Sequence, residues 1–247
     1  MPPTILDRLA AARIAGQHQL AWLVDPDVAQ LPKLHELLAR AESLGVDYIF
    51  IGGSLVSPAD LQAVAAEISS LSQLPRVLFP GSAGQLTPDA DAVLFLSLIS
   101  GRNPEFLIGQ HVTAAPLLRQ LRLEVIPTGY MLIDGGRTTA AQYMSGTQPL
   151  PAHKPDLAAA TALAGHYLGL RLMFLDAGSG AHQPVPPALI SRVAQAVPTP
   201  VVVGGGIRNP QQACEAWQAG ATLLVVGTAL EDDPRAERLA ALAAAKP

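Results

Sequence analysis

Eight short apolar runs alternate with amphipathic segments along 247 residues, and this predicts an α/β fold, a modified TIM (β/α)8 barrel. Three observations support it. The runs are apolar throughout rather than alternating, as parallel strands covered on both faces must be. Their number and the chain length match one barrel, so residues 1–247 are read as a single domain. Finally, the interval from Phe79 to Ala92 has no room for a crossover helix and its loops, so the third helix is expected to be missing or replaced.

The elements follow in order. Strands are expected at Leu20–Val24, Tyr48–Ile51, Arg76–Phe79, Ala92–Leu96, Glu124–Ile126 (with an extension to Ile133 open), Arg171–Leu175, Pro200–Val203 and Thr222–Val226. Helical patterns occupy Leu31–Leu44, Ala59–Leu71, Pro104–Gln120, Asp156–Leu168, Pro187–Ala196, Pro210–Ala219 and Asp233–Ala245. Ser57-Pro58 and Asn209-Pro210 each place a cap residue before a first-turn proline. Gly45, Gly169 and Gly220 fit the glycine that closes a helix. A dinucleotide-binding doubly wound sheet would need a glycine fingerprint after its first strand, but here Asp25-Pro26-Asp27 follows. Asp134–Pro155 reads as a long loop, and in a compact barrel loops of that length usually carry function.

Composition excludes several function classes. Acids outnumber bases 20 to 16, against bulk binding of nucleic acid. A lone cysteine, Cys214, builds neither a disulfide framework nor a zinc cluster. The six histidines contain no pair at helical spacing. None of the three lysines ends an apolar run, which argues against Schiff-base chemistry. No apolar run is long enough to span a bilayer and the N-terminus has no signal-peptide layout, so a cytoplasmic protein without stable membrane insertion is expected.

The chemistry is expected where strands end. Strands six, seven and eight stop at "DAGSGA", "GGGIRNP" and "GT". Backbone N–H groups must converge on a phosphate, and side chains would block its approach. Gly178, Ser179 and Gly180, Gly204 to Gly206, and Gly227 with Thr228 therefore read as three walls of one anion cradle. The helix starting at Pro210 adds its dipole only if it points inward. Asp176 places a carboxylate beside that cradle. At strand one, Asp25 and Asp27 read either as a turn and helix cap or as a Mg²⁺ site, since Mg²⁺ is held by one or two carboxylates with phosphates and water. Ser54 after strand two, beside two glycines, reads either as a cap or turn residue or as a group on the site face.

The set "VDPD" (24–27), "GGS" (52–54), "FPGS" (79–82), "IPTGYMLIDGG" (126–136), "FLDAGSGA" (174–181), "GGGIRNP" (204–210) and "VVGT" (225–228) resembles the geranylgeranylglyceryl phosphate synthase and heptaprenylglyceryl phosphate synthase family. The motifs keep family order over nearly the whole chain, and "TQPLPAHKPD" resembles the larger branch, with archaeal and Bacteroidetes-type enzymes. The resemblance implies a modified barrel without its third helix. It implies ether formation between a polyprenyl diphosphate, geranylgeranyl being the expected donor, and sn-glycerol 1-phosphate, with diphosphate released. By motif, Asp25 and Ser54 would contact Mg²⁺. Tyr130, Phe174, Leu175, Asp176, Ala177, Gly178, Ser179 and Gly180 would line the glycerol phosphate, with Gly205, Gly206, Gly227 and Thr228 on its phosphate. Asp176 would take the hydroxyl proton. A homo-oligomer, dimer or hexamer, is also implied.

Two departures stand out. The family usually has Tyr-Leu-Glu where this chain has Phe174-Leu175-Asp176, which removes a hydroxyl and shortens the base by one methylene. Leu23 stands where the heptaprenyl branch has lysine, which weighs against a heptaprenyl donor. Two alternatives share the late cradle: another barrel enzyme acting on a sugar phosphate, and a non-catalytic phosphate-binding barrel.

Overall fold

The computed structural model describes residues 3–27, 31–227 and 237–247. Eight parallel strands close into a barrel in sequence order: β1 Gln19–Val24, β2 Tyr48–Ile51, β3 Arg76–Leu78, β4 Ala92–Leu98, β5 Glu124–Leu132, β6 Leu172–Asp176, β7 Val201–Gly204 and β8 Leu223–Val226. Each matches an expected run to within a residue or two at its ends. The exception is β5, which takes the long option and pairs with β4 from Glu124 to Tyr130.

The described helices are α1 Ile5–Ala15, α2 Leu31–Ala41, α3 Pro58–Leu71, α4 Gln110–Leu121, α5 Ala140–Ser145, α6 Pro155–Tyr167, α7 Pro187–Ala196, α8 Pro210–Gln218 and α9 Glu237–Ala244. A π-helical turn at Glu105–Gly109 leads into α4. Between β3 and β4 there is no helix, as the short interval predicts. The long segment after β5 is not all loop. Thr139 caps α5, Gly146 closes it in a left-handed conformation, and Leu150 returns to bridge Ile133.

Strand parity sorts the core into two shells. Ala21, Tyr48, Phe50, Ile126, Tyr130, Leu172, Phe174, Val202 and Val225 fill the barrel interior. Their neighbours Trp22, Ile49, Ile51, Met131, Met173, Leu175, Val203 and Leu224 face the helix ring. One end of the interior is stoppered by α1, a helix that the alternating pattern alone does not require. Its Ile5, Leu6 and Leu9 join the inner shell. The N–H groups of Ile5 and Leu6 donate to the Glu124 carboxylate at 2.7 and 2.9 Å, at the start of β5. Arg13 reaches the carbonyls of Gly220 and Ala194. With that end closed, the opposite end, where the strands finish, is the open one.

Candidate active site

The strand ends surround a cavity of about 340 Å³. Asp25, Tyr130, Asp176 and Gly227 all lie on the inward parity of their strands, and all four line it. Ser54, Phe174, Gly178, Ser179, Gly180, Gly205 and Gly206 line it too. The structure therefore brings these positions together around one cavity. Leu175 and Ala177 differ. Parity turns both away from the cavity, and they are buried in the shell beneath the helices. Motif contiguity had included them, and the two-residue period of a strand takes them out. Thr228 lies outside the described residues.

Asp176 is buried in the site, only 7% exposed. Its Oδ2 accepts a hydrogen bond from the Tyr130 hydroxyl at 2.6 Å, and its Oδ1 accepts from the Gly178 N–H at 2.7 Å. Burial raises its proton affinity above that of an ordinary carboxylate, while the two hydrogen bonds oppose the rise. Burial, and then the Asp176 charge, hold the Tyr130 phenol well above its usual pKa, so Tyr130 remains a donor. A carboxylate with raised proton affinity facing a cavity is equipped to accept a proton.

The glycines beside Asp176 are required by close approach. Gly205 has φ +80°, and a Cβ there would lie 2.5 Å from the Gly178 nitrogen and 2.8 Å from Asp176 Oδ1. Gly206, at φ +73°, would drive a Cβ to 2.8 Å from the Gln183 carbonyl and the Pro184 nitrogen. So Gly206 is glycine because two loops meet there, and its effect on a bound phosphate is through that loop. Gly227 has no positive φ, and a Cβ there would meet Leu23 at 3.3 to 3.5 Å. The start of α8 is capped by the Asn209 side chain on the Gln212 N–H, and Arg208, rather than Asn209 or Pro210, lines the cavity. Arg208 donates to the carbonyls of Ala181 and His182, which ties the ends of β6 and β7 together.

Across the cavity, Asp25 follows β1. Its Oδ1 accepts from the Asp27 N–H at 3.1 Å, so the turn reading of Asp-Pro-Asp is realised as well. Burial raises the Asp25 pKa, that hydrogen bond opposes it, and the Asp27 charge adds to it. Gly53 abuts the carboxylate, and a Cβ there would sit 2.5 to 2.7 Å from its atoms. Ser54 is next in line and exposed. Among the described residues no group of three His, Cys, Asp or Glu side chains could cage a metal. One carboxylate, one hydroxyl and backbone oxygens are an oxygen-only set, which fits Mg²⁺ shared with substrate phosphates and does not fit zinc.

The gap left between β3 and β4 extends the cavity outward. Ala83, Leu86, Val93, Phe95, Ala114 and Leu118 line this slot, with α4 as its far wall. His111 on α4 also lines it and is 7% exposed. Its Nε2 lies 3.2 Å from Ser97 Oγ, its ring meets Phe95 edge-on at 4.3 Å, and burial lowers its pKa, so the slot carries no histidine charge at neutral pH.

Sequence reasoning left three participants unread. Gln85 is 2% exposed and bonds the Gly81 N–H and the carbonyls of Gly53 and Val56, locking the β2 and β3 loops together. Thr139 caps α5 and stands against Gly178. Phe79 stacks on Phe174 with ring centroids 5.0 Å apart. Only Phe79 carried a signal, the quoted "FPGS".

Comparisons with known proteins agree with this geometry. The PcrB family matches residues 14–246. The geranylgeranylglyceryl phosphate synthase of Spirosoma linguale is 51% identical over 222 residues, 90% of this chain and 89% of that one. The enzyme of the same name from Thermococcus kodakarensis is 44% identical over 210 residues, 85% of this chain and 82% of that one. A crystal structure of (S)-3-O-geranylgeranylglyceryl phosphate synthase from Thermoplasma acidophilum in complex with sn-glycerol-1-phosphate superposes with a TM-score of 0.92 at 31% identity, covering 98% of both chains. With the family matched over nearly the whole length and the barrel superposing on that crystal structure, the chain belongs to the PcrB family.

Proposed function

We infer that this chain is a prenyltransferase of the geranylgeranylglyceryl phosphate synthase type, joining a polyprenyl diphosphate to sn-glycerol 1-phosphate in the cytoplasm. The observation that carries the reading is the position of Asp176. It faces a cavity that has glycine-rich strand ends on one side, Asp25 on the other and an apolar slot leading away. The one activity that uses all four features moves an allylic chain from one phosphate-bearing molecule to another.

The residues divide the work as follows. Ser179, Gly180, Gly205, Gly206, Gly227 and Thr228 hold the glycerol phosphate through backbone donors. Tyr130 and the Gly178 N–H orient Asp176, which receives the proton of the attacking glycerol hydroxyl. Asp25 and Ser54 would hold Mg²⁺, which when bound neutralises the departing diphosphate. The slot between β3, β4 and α4 takes the apolar chain and excludes water from the reacting carbon. The chain length is expected to be geranylgeranyl, and the working form a homo-oligomer.

The test is incubation with radiolabelled sn-glycerol 1-phosphate, Mg²⁺ and a panel of prenyl diphosphates, followed by organic extraction. The expected result is extractable label with geranylgeranyl diphosphate and poor use of sn-glycerol 3-phosphate. The enantiomer's phosphate fits the same cradle, but its hydroxyls then point away from Asp176. Absence of extractable label with every donor would refute prenyl transfer.

A further inference from the structure

Three aromatic rings meet at the floor of the cavity. Phe79 stacks on Phe174 at 5.0 Å with planes 28° apart. Tyr130 meets Phe79 at 5.7 Å and Phe174 at 5.5 Å, each at 80°. All three line the cavity; Phe174 is fully buried and Tyr130 is 8% exposed, whereas Phe79 is half-buried. Phe79 is therefore the ring most open to a bound molecule, with the other two packed against it.

The place of that ring is set by the backbone. A Cβ on Gly52 would run into the Phe79 carbonyl, and the next residue, Gly53, abuts the Asp25 carboxylate. On its other side Phe79 touches Tyr130, whose hydroxyl holds Asp176. Phe79 thus touches, on one side, the loop that abuts Asp25 and, on the other, the tyrosine that holds Asp176. If Asp25 marks the diphosphate and Asp176 the attacking hydroxyl, the carbon that changes partners passes beside this ring.

We propose that Phe79, backed by Phe174 and Tyr130, stabilises the positive charge that develops on the allylic carbon during prenyl transfer. The assignment rests on the prenyltransferase reading. In the step, the bond from the allylic C1 to the diphosphate oxygen breaks and its electron pair leaves with diphosphate. The glycerol hydroxyl oxygen forms the new bond to C1, and its proton passes to Asp176. Charge on C1 peaks between these events, when neither oxygen is close. An aromatic face attracts such a cation through its quadrupole, and more strongly where water is excluded. Two carboxylates alone would pull the cation toward either end of the site. An aromatic ring supplies attraction without a nucleophilic atom that could capture it.

Fluorination separates this role from simple packing, because it drains electron density from the ring while keeping it apolar and nearly the same size. Phenylalanine analogues carrying one to three fluorines are placed at position 79 alone in the full-length chain. Single-turnover rates are measured with saturating geranylgeranyl diphosphate, sn-glycerol 1-phosphate and Mg²⁺, and binding is measured with a non-hydrolysable thio-diphosphate analogue. The expected result is a stepwise fall in rate, reaching about 2- to 30-fold across the series, with analogue binding unchanged. F79L, which keeps apolar bulk without a π face, should lose at least as much rate. Rates that stay flat across the fluorinated series, or that fall only in step with binding, would overturn the assignment while leaving the prenyltransferase reading in place. A wild-type chain that releases no diphosphate would overturn both.

Discussion

The Tyr130–Asp176 hydrogen bond can be removed almost alone. Tyr130→Phe deletes the hydroxyl and keeps the ring, so the edge-on contacts with Phe79 and Phe174 survive. Asp176 then retains only the Gly178 N–H at 2.7 Å. At 7% exposure it has little access to water as a replacement donor. A hydrogen bond to a charged group contributes about 1.5–3 kcal/mol. About 1.4 kcal/mol corresponds to a factor of ten in proton binding, so the proton affinity of Asp176 should rise about 10- to 100-fold. The sign follows from the acid form, which needs no donor and is unaffected, while the ionised form loses one. The acid limb of the kcat/KM profile should therefore move toward neutral pH, and activity should recover as the pH rises above the new limb. The assay is a pH–rate profile of wild type and variant with saturating Mg²⁺. A uniform loss across the pH range with an unmoved acid limb would refute the reasoning, and would mean that Tyr130 acts on the substrate directly.

Other perturbations test other parts of the site. Asp25→Ala should raise the Mg²⁺ concentration needed for activity, and Gly53→Ala should do the same by pushing a methyl group into the Asp25 carboxylate; Mg²⁺ titrations of both variants check this, and an effect confined to Asp25→Ala would mean that the carboxylate can move aside. Gly206→Val should raise KM for sn-glycerol 1-phosphate far more than KM for the prenyl diphosphate, because its clash falls on the Gln183–Pro184 loop; steady-state kinetics with each substrate varied decide it. Asp176→Asn should lower turnover about 10²–10⁴-fold while leaving binding of sn-glycerol 1-phosphate intact, as calorimetry can show. The same variant has a stability signature. Burial raises the folded-state pKa of Asp176, so its penalty is full at neutral pH and lifts as the pH falls through that pKa toward the unfolded value. Urea melts should therefore show wild type gaining on Asp176→Asn as the solution is acidified.

Much of this architecture was legible because parallel strands leave a strong local mark. Val201 to Val203 and Leu223 to Val226 are apolar on both faces and stop at glycine, so their positions and their functional ends could be read together. The missing helix was legible from chain length alone. Asp176 and Asp25 stood out as carboxylates at the ends of such runs. Leu175 and Ala177 were drawn in by adjacency, whereas alternation along β6 assigns them to the opposite face. The α1 helix carried its own signals, Thr4 with Asp7 as a capping box and Gly16 as a left-handed stop, but no strand precedes it to demand a helix there. Gln85 was silent, and Phe79 was visible only as a letter in a motif, for a different reason. Their roles arise where the β2 and β3 loops approach one another, and nothing in either segment announces its neighbour.

The helix that stoppers the barrel has a consequence for how the chain assembles. Its buried residues, Ile5, Leu6, Leu9 and Ala12, precede all of their anchors in the chain. Its anchors come much later: Glu124 lies 119 residues from Ile5, and Gly220 lies 207 residues from Arg13. During synthesis the segment must therefore wait, unseated, until almost the whole barrel exists. Contacts of such long sequence separation slow folding and prolong the exposure of apolar surface. This helix thus docks late, and nascent chains arrested before Gly220 would carry it without its full set of anchors.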